Sequence, residues 1–203
     1  MTLSTTPSDR ALARRQQVLD AAAECFRRRG FHTASMAEIA KTAGMSPGHI
    51  YNLFENKDDI IAAIVERDCE EVLARIAEFR QAGDLLEQML AGTEEAIDEH
   101  SQVAKAALQL EVLAEASRNP KLAAVVRQSQ MLVNDRAQAL VRQSVGEQAA
   151  QAMPPGEIEG RAMMLGAIFN GLTVLSVRQP AMAQHTPAIA PVMRRMLRVL
   201  MAP

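Results

Sequence analysis

Residues 31–58, FHTASMAEIAKTAGMSPGHIYNLFENKD, contain two helix starts that are separated by a glycine turn. Ser35 is followed three residues later by Glu38, which is the spacing of a capping box. In that arrangement each of the two residues accepts a hydrogen bond from the backbone N–H of the other, and a helix begins. The apolar residues that follow continue this helix for about two turns, and Gly44 is expected to end it.

A further helix is predicted to begin directly after this turn. Ser46 is a favoured N-cap residue, and Pro47 suits the first helical position, where its missing N–H costs nothing. The helix is expected to run to about Phe54, with Ile50, Leu53 and Phe54 facing the core. Two short helices joined by a tight turn predict a helix-turn-helix, although an ordinary helical hairpin would show the same pattern.

The segment before this stretch is predicted to be a longer amphipathic helix, from about Asp9 to Arg29. Its apolar residues fall mostly at the three- and four-residue spacing of one helical face; they are Leu12, Val18, Leu19, Ala22, Cys25 and Phe26. Three arginines and Gly30 follow. The positive charges complement the helix C-terminus, and glycine readily takes the left-handed conformation found there.

The remaining chain has the composition and pattern of an all-α protein. Hydrophobic residues make up 48% and aromatic residues only 3%, and Ala, Leu, Met, Glu, Gln and Arg favour helices. Breaks are predicted near Gly83, Gly92, His100, Asn119–Pro120, Gly146, Pro154–Pro155 and Pro180–Pro191. We expect about nine helices in total, in an N-terminal three-helix domain over residues 1–57 and a larger domain over residues 58–203.

Charge is distributed unevenly between these two predicted domains. Residues 1–57 contain eight Lys and Arg against five Asp and Glu, a net charge of +3. Residues 58–203 contain 14 against 19, a net charge of −5. Because attraction to nucleic acid depends on local rather than total charge, residues 1–57 are the part expected to meet phosphate.

The sequence lacks the signatures of several other classes of protein. It contains no GxSxG, no HExxH and no glycine-rich phosphate loop, and the four histidines lack metal-ligand spacing. Cys25 and Cys69 lie far apart with no CxxC motif, and we interpret both as core residues. We therefore expect no enzymatic activity, no cofactor and no metal.

The predicted location is the cytoplasm. Met1–Asp9 is polar and no apolar run follows it, so no signal peptide is expected. The longest apolar stretch, Ala162–Val177, is interrupted by polar residues and is shorter than a membrane span. We interpret it as a buried helix and expect no association with a membrane.

Four segments of the N-terminal region together resemble the DNA-binding domain of the TetR family of transcriptional regulators. Gly30-Phe31 with Ala34-Ser35 corresponds to the family's entry pattern, and Ile39-Ala40 with Ala43-Gly44-Met45-Ser46 to its turn. Ile50-Tyr51 with Phe54 corresponds to its recognition helix, and Lys57-Asp58 with Ile60 to the start of the next helix. The order and spacing also agree. The resemblance implies that the third helix enters the major groove of double-stranded operator DNA.

The resemblance also implies DNA-contacting roles for individual residues. They are Thr33, Ser35, Ser46, Pro47, Gly48, His49, Tyr51, Asn52 and Lys57. Hydroxyl groups at Thr33 and Ser35, the phenol of Tyr51 and the charge of Lys57 suit phosphate contacts. His49 and Asn52 are the expected base readers, since asparagine can bond adenine through two hydrogen bonds. For Arg14 and Arg15, a phosphate contact and a solvated position are both open.

The larger domain resembles the family's C-terminal domains over a shorter stretch. Leu110–Leu122 is similar to the branch that contains choline-responsive and drug-efflux regulators. The resemblance implies a homodimer, formed by the apolar helices Arg161–Val177 and Val192–Met201. It also implies a small-molecule inducer of unknown identity, and twelve methionines would suit an adaptable pocket for a lipophilic molecule.

Seven residues are candidates for contact with that ligand, although a solvated or core position is an alternative for each. They are Gln109, Glu111, Glu115, Met131, Asn134, Met163 and Asn170. The function predicted is that of a repressor that releases a pseudo-palindromic operator when the ligand binds. Activation is also possible. The alternative class is a helical interaction module without sequence-specific DNA binding.

Overall fold

The computed structural model describes residues 7–81 and 83–203. Residues 1–6 lie outside this described part. They form most of the polar segment Met1–Asp9, where we expect no signal peptide. Helices joined by turns and loops make up the described ranges, which contain no strand. This confirms the all-α prediction.

Eleven α-helices are present among the described residues, against a prediction of about nine. They are α1 (Pro7–Arg29), α2 (Met36–Thr42), α3 (Pro47–Tyr51), α4 (Lys57–Gln81), α5 (Leu85–Ala91), α6 (Thr93–His100), α7 (Val103–Ala116), α8 (Pro120–Val145), α9 (Glu147–Ala152), α10 (Glu157–Arg178) and α11 (Thr186–Met201). A short 3₁₀ helix over Met182–His185 precedes α11. The prediction was too low because α5, α6 and α9 have only six to eight residues each, too few for apolar periodicity to define them.

The chain forms two compact units, and the first is discontinuous in sequence. Unit 1 contains the residues up to Arg67 together with Leu108–Val126, and unit 2 contains Asp68–Ala107 and Arg127–Pro203. The boundaries therefore fall inside α4, α7 and α8. Unit 1 contains more of the chain than the DNA-binding domain predicted over residues 1–57.

The core of unit 1 joins the N-terminal helices to a segment far along the chain. Phe26, Ile39, Ile50 and Ile60 are fully buried in it. The later segment contributes apolar residues to the same cluster; they are Leu108, Val112 and Leu122. The core that supports the helix-turn-helix is thus completed by α7 and the start of α8.

Unit 2 buries only one face of α10, so the interpretation of Ala162–Val177 as a buried helix was wrong. Leu165 and Leu172 lie in the core, whereas Met163 and Val174 are exposed. Among the described residues, α10 is the one helix long and apolar enough to cross a bilayer, and 28% of its most apolar window is buried. The sequence of α10 is apolar on both faces. One apolar face lies in the core of unit 2, and the other is exposed in the single chain.

The last helix begins earlier than its sequence predicted. The sequence predicts a break at Pro191 and a helix from Val192, but α11 starts at Thr186 and continues through Pro191. Thr186 and Ala190 are buried. The packing of this first part of the helix outweighs the loss of one backbone hydrogen bond at the proline.

Candidate nucleic-acid interface

The two short helices of the predicted helix-turn-helix begin at the residues expected from the sequence. The hydroxyl of Ser35 accepts a hydrogen bond from the backbone N–H of Glu38 at 3.2 Å. The hydroxyl of Ser46 accepts one from the backbone N–H of His49 at 3.3 Å, and Pro47 occupies the start of α3. Each cap satisfies a backbone donor that has no partner within its own helix.

The capping box at α2 is only half formed. The Glu38 carboxylate, which was expected to accept from the Ser35 backbone, instead pairs with Arg29 at 3.1 Å. A charged guanidinium is a stronger partner for a carboxylate than a backbone N–H is. This ion pair joins the end of α1 to α2, so Glu38 contributes to the position of the second helix as well as to its start.

The turn between α2 and α3 is held by backbone geometry and by one glutamine side chain. Gly44 has φ of +64°, a conformation that suits glycine. The side-chain amide of Gln17 on α1 donates to the carbonyl of Ala43 at 2.7 Å. Gln17 was not predicted, because a polar residue on the exposed side of an amphipathic helix carries no periodic signal.

The third helix ends at Tyr51, three residues earlier than predicted, but the residues expected to face the core do so. Ile50 and Phe54 are buried, and Leu53 is half-buried. Tyr51 is 55% exposed even though it lies between these core residues.

The predicted DNA-contacting side chains occupy the outer surface of this region. Those that are exposed are Thr33, Ser35, Ser46, Pro47, Gly48, Tyr51 and Asn52, whereas His49 and Lys57 are half-buried. Contact of these residues with DNA remains a prediction.

Lys57 makes contacts within the protein that its sequence position did not reveal. Its ammonium donates to the carbonyls of Phe31 at 2.7 Å and His32 at 3.0 Å, and it lies 4.9 Å from the centre of the Phe31 ring. Lys57 therefore fixes the loop that leads into α2. An ammonium has three N–H donors, so one is left for another partner.

Three of the seven predicted ligand residues lie in unit 1, and two of them are beside this same loop. Glu111 accepts a hydrogen bond from the backbone N–H of Phe31 at 3.1 Å. Glu115 has a buried side chain that pairs with His32 at 3.0 Å and with Arg118 at 3.4 Å. Both acidic residues therefore have hydrogen-bonding or ion-pair partners within unit 1.

The other ligand candidates are not gathered into one site within either unit. Gln109, in unit 1, is exposed. In unit 2, Met131, Met163 and Asn170 are exposed, and Asn134 is half-buried.

An open pocket of about 480 Å³ lies in unit 2, and none of the seven candidates lines it. Its lining residues are Pro155, Gly156, Glu157, Gly160, Arg161, Met164 and Leu200.

Ionisable groups with shifted pKa values lie in unit 2. Hydrogen bonding to Arg75 lowers the pKa of Glu99, and the same bond raises the pKa of Arg75. Lys105 lies 3.4 Å from the Glu99 carboxylate and favours its charged form as well. Burial raises the pKa of Cys69. Within the described ranges, no group of three or more His, Cys, Asp or Glu residues is arranged to hold a metal ion.

Two protein families match separate parts of the chain. Residues 18–64 match the family described as bacterial regulatory proteins, tetR family. Residues 84–201 match the C-terminal domain of BetI-type transcriptional repressors, which extends over more than half of the chain.

Individual proteins are similar to the chain over different lengths. The HTH-type transcriptional regulator UidR of Escherichia coli strain K12 is 35% identical over 121 residues, which are 60% of this chain and 61% of UidR. The chain thus matches less than two thirds of the length of that relative. The structure of Salmonella enterica GusR is 29% identical and has a TM-score of 0.76, over 97% of both chains.

A third similar protein was solved with a ligand. The regulator FadR from Bacillus subtilis, in complex with stearoyl-CoA, has a TM-score of 0.69 at 19% identity. The match covers 92% of this chain and 97% of that one, and it shows a shared fold.

Proposed function

The chain belongs to the TetR family of bacterial regulatory proteins, and we propose that it is a repressor that binds operator DNA as a homodimer and releases it when a small molecule binds. The observation that carries the proposal is the division of α3 into two sides. Ile50 on α3 and Phe54 just after the helix are buried in the core, while Tyr51 and the C-cap residue Asn52 are exposed. A capped helix held in this way can present polar side chains to a major groove.

We assign the contacts with DNA to two classes. Thr33, Ser35, Tyr51 and the remaining N–H of the Lys57 ammonium contact phosphates and set the position of the protein, whereas Asn52 reads a base. Replacement of Asn52 by alanine should then relax selection at one base pair in each half-site, at a cost of about 1 to 3 kcal/mol. A uniform loss of affinity on every sequence would contradict a base-reading role.

Operator binding is tested by gel shift with the region upstream of the chain's own gene and with neighbouring promoters. We expect binding that selects these sequences over random DNA and that weakens steeply with salt, because phosphate contacts release counterions. Absence of selective binding would favour the alternative, a helical interaction module. Repression is then measured with a reporter gene under the selected operator, and an increase in expression would show an activator instead.

Homodimerisation is proposed from the exposed apolar residues of α10 and α11. Met163, Val174, Val192, Met196 and Val199 are all at least 40% exposed in the single chain. On α10, Met163 and Val174 are eleven residues apart, which places them on one face at three helical turns. A second copy that covers these faces would pair two recognition helices about a two-fold axis, as a pseudo-palindromic operator requires.

The response to a ligand is proposed for residues 58–203, with α4 as the connecting element to the DNA-binding residues 1–57. Support comes from the common fold, since FadR of this fold was solved with stearoyl-CoA, and from the methionine-rich composition, which suits a lipophilic molecule. Stearoyl-CoA is therefore a suitable probe, with coenzyme A as the control that lacks the acyl chain. Equal affinity of such a ligand for the free and the operator-bound dimer would rule out coupling.

A cytoplasmic location and a role without catalysis complete the proposal. Both are consistent with UidR, a relative that is named as a transcriptional regulator.

A further inference from the structure

The candidate base reader His49 makes one side-chain contact that bears on what it can recognise. The guanidinium Nη1 of Arg14, on α1, lies 3.2 Å from Nε2 of His49 on α3. Both residues line an open pocket of about 320 Å³ in unit 1, together with Gln17 and Ser46. The neighbours are engaged elsewhere, since Gln17 donates to the Ala43 carbonyl and the Ser46 hydroxyl caps α3.

The chemistry of arginine restricts which ring nitrogen of His49 can carry a hydrogen in this contact. A guanidinium has only N–H donors and remains protonated, so Nε2 of His49 must be the acceptor of this hydrogen bond. In a neutral imidazole one nitrogen accepts and the other donates, which leaves the hydrogen of His49 on Nδ1. The opposite tautomer, or an imidazolium, would direct two donors at one another.

We infer that Arg14 is a positioning residue for specificity, which makes His49 a hydrogen-bond donor that discriminates against cytosine. The inference rests on the proposed function and deepens it. In the major groove guanine presents the acceptors N7 and O6, adenine presents N7 and thymine presents O4, whereas cytosine presents only an amino donor. A histidine that could switch tautomers would accept or donate and would select less sharply. Arg14 removes that freedom.

The sequence gives a matched control for the charge of Arg14. Arg28 also lies on α1, 14 residues further on, which corresponds to about 21 Å along the helix. Replacement of either arginine by alanine removes one positive charge from α1. Only the Arg14→Ala variant removes the partner of His49, and Arg14→Lys restores a charged donor on a flexible stem.

The first experiment measures the tautomer directly in the full chain. Nitrogen-15 NMR of the His49 ring is recorded for the wild type, Arg14→Ala and Arg28→Ala, at a pH above the ordinary imidazole range. We expect a protonated Nδ1 and a bare Nε2 in the wild type and in Arg28→Ala, and a shift toward protonated Nε2 in Arg14→Ala. A protonated Nε2 in the wild type would overturn the inference, whatever the outcome on DNA.

The second experiment selects operators from a random DNA library with the same three proteins, with Arg14→Lys and with His49→Ala. His49→Ala identifies the base pair that His49 reads. At that base pair we expect the discrimination against cytosine to fall about tenfold in Arg14→Ala, to persist in Arg28→Ala and to recover in part in Arg14→Lys.

The outcomes separate this inference from the proposed function. If the wild type selects no sequence, the proposed function fails, and the NMR measurement still decides the tautomer. If the wild type selects an operator and Arg14→Ala keeps the discrimination against cytosine, the inference alone fails. A loss of affinity in Arg14→Ala that is equal on all sequences would make Arg14 a phosphate contact and would also overturn it.

Discussion

The two compact units differ in how completely they bury their apolar residues. Of fourteen exposed large hydrophobic residues in the described part of the chain, three lie in unit 1 and eleven in unit 2. In unit 1, one of the three is Tyr51, whose position on α3 has a proposed use. In unit 2, the exposed residues include those on the outer faces of α10 and α11. Unit 1 thus has a complete core in the single chain, whereas unit 2 retains apolar surface that a partner could cover.

The strongest test of this difference places a charge on the outer face of α10. Val174→Glu would bury an unpaired carboxylate in a dimer, at a cost of about 3 to 5 kcal/mol. The dissociation constant of the dimer should then rise by about two to three and a half orders of magnitude, as measured by sedimentation. Val72→Glu on α4 is the matched control, because Val72 is 45% exposed and Val174 is 42% exposed. Equal dimerisation of both variants and the wild type would remove this face from the interface.

The core of unit 1 can be tested through the half-buried hydrogen bond between Glu111 and Phe31. Glu111→Ala leaves the backbone N–H of Phe31 without its acceptor, which should lower the free energy of unfolding by about 1 to 3 kcal/mol. Glu111→Gln keeps an acceptor oxygen and should lose less. Urea unfolding at a fixed protein concentration measures both, since the stability of a dimer depends on concentration. Equal stability of the two variants would mean that this hydrogen bond contributes little.

A smaller effect is expected for Tyr51→Phe, which tests the exposed surface of unit 1. The variant keeps the ring and removes only the hydroxyl, so affinity for the operator should fall by about 0.5 to 1.5 kcal/mol. The loss should be the same on operators of different sequence, because a phosphate contact carries no sequence information. Fluorescence anisotropy on a small operator series measures it. A loss confined to one base substitution would instead assign Tyr51 to base reading.

The smallest expected effect concerns the ion pair of unit 2. Because Arg75 lowers the pKa of Glu99 in the folded chain, the charged carboxylate stabilises the fold above the ordinary glutamate pKa. This contribution is lost as the pH falls through the lowered pKa. Glu99→Gln should cost a few tenths to about 1 kcal/mol at neutral pH, and little in acid. Unfolding curves from pH 7 to pH 3 test this, with Glu159→Gln as the control on α10.

Local patterns predicted those parts of unit 1 whose causes lie within a few residues. Ser35 and Ser46 cap helices through backbone groups three residues away. Gly44 adopts the positive φ that the turn between α2 and α3 requires. Such interactions are complete within one short stretch of sequence, so their residue types were sufficient to predict them. The all-α fold followed from the same local preferences.

The interactions that the sequence did not predict join residues that are distant along the chain. Glu111 accepts from Phe31 across 80 positions, and Lys57 reaches the carbonyls of the loop before α2. Nothing near Glu111 distinguishes a residue that supports a loop from one that lines a pocket. The buried interpretation of α10 failed for a related reason, since an apolar sequence does not say whether its own chain or another molecule covers it.

The discontinuity of unit 1 has a consequence for exchange of DNA specificity between regulators. Leu108, Val112 and Leu122 belong to the same core as Phe26 and Ile50, although they follow at least 40 residues of unit 2. A hybrid protein that received only residues 1–57 would lack part of that core and the Glu111 acceptor. A recombination event that transfers the DNA-binding helices with an intact core must therefore also transfer Leu108–Val126. We expect α3 and α7 to be exchanged between regulators together.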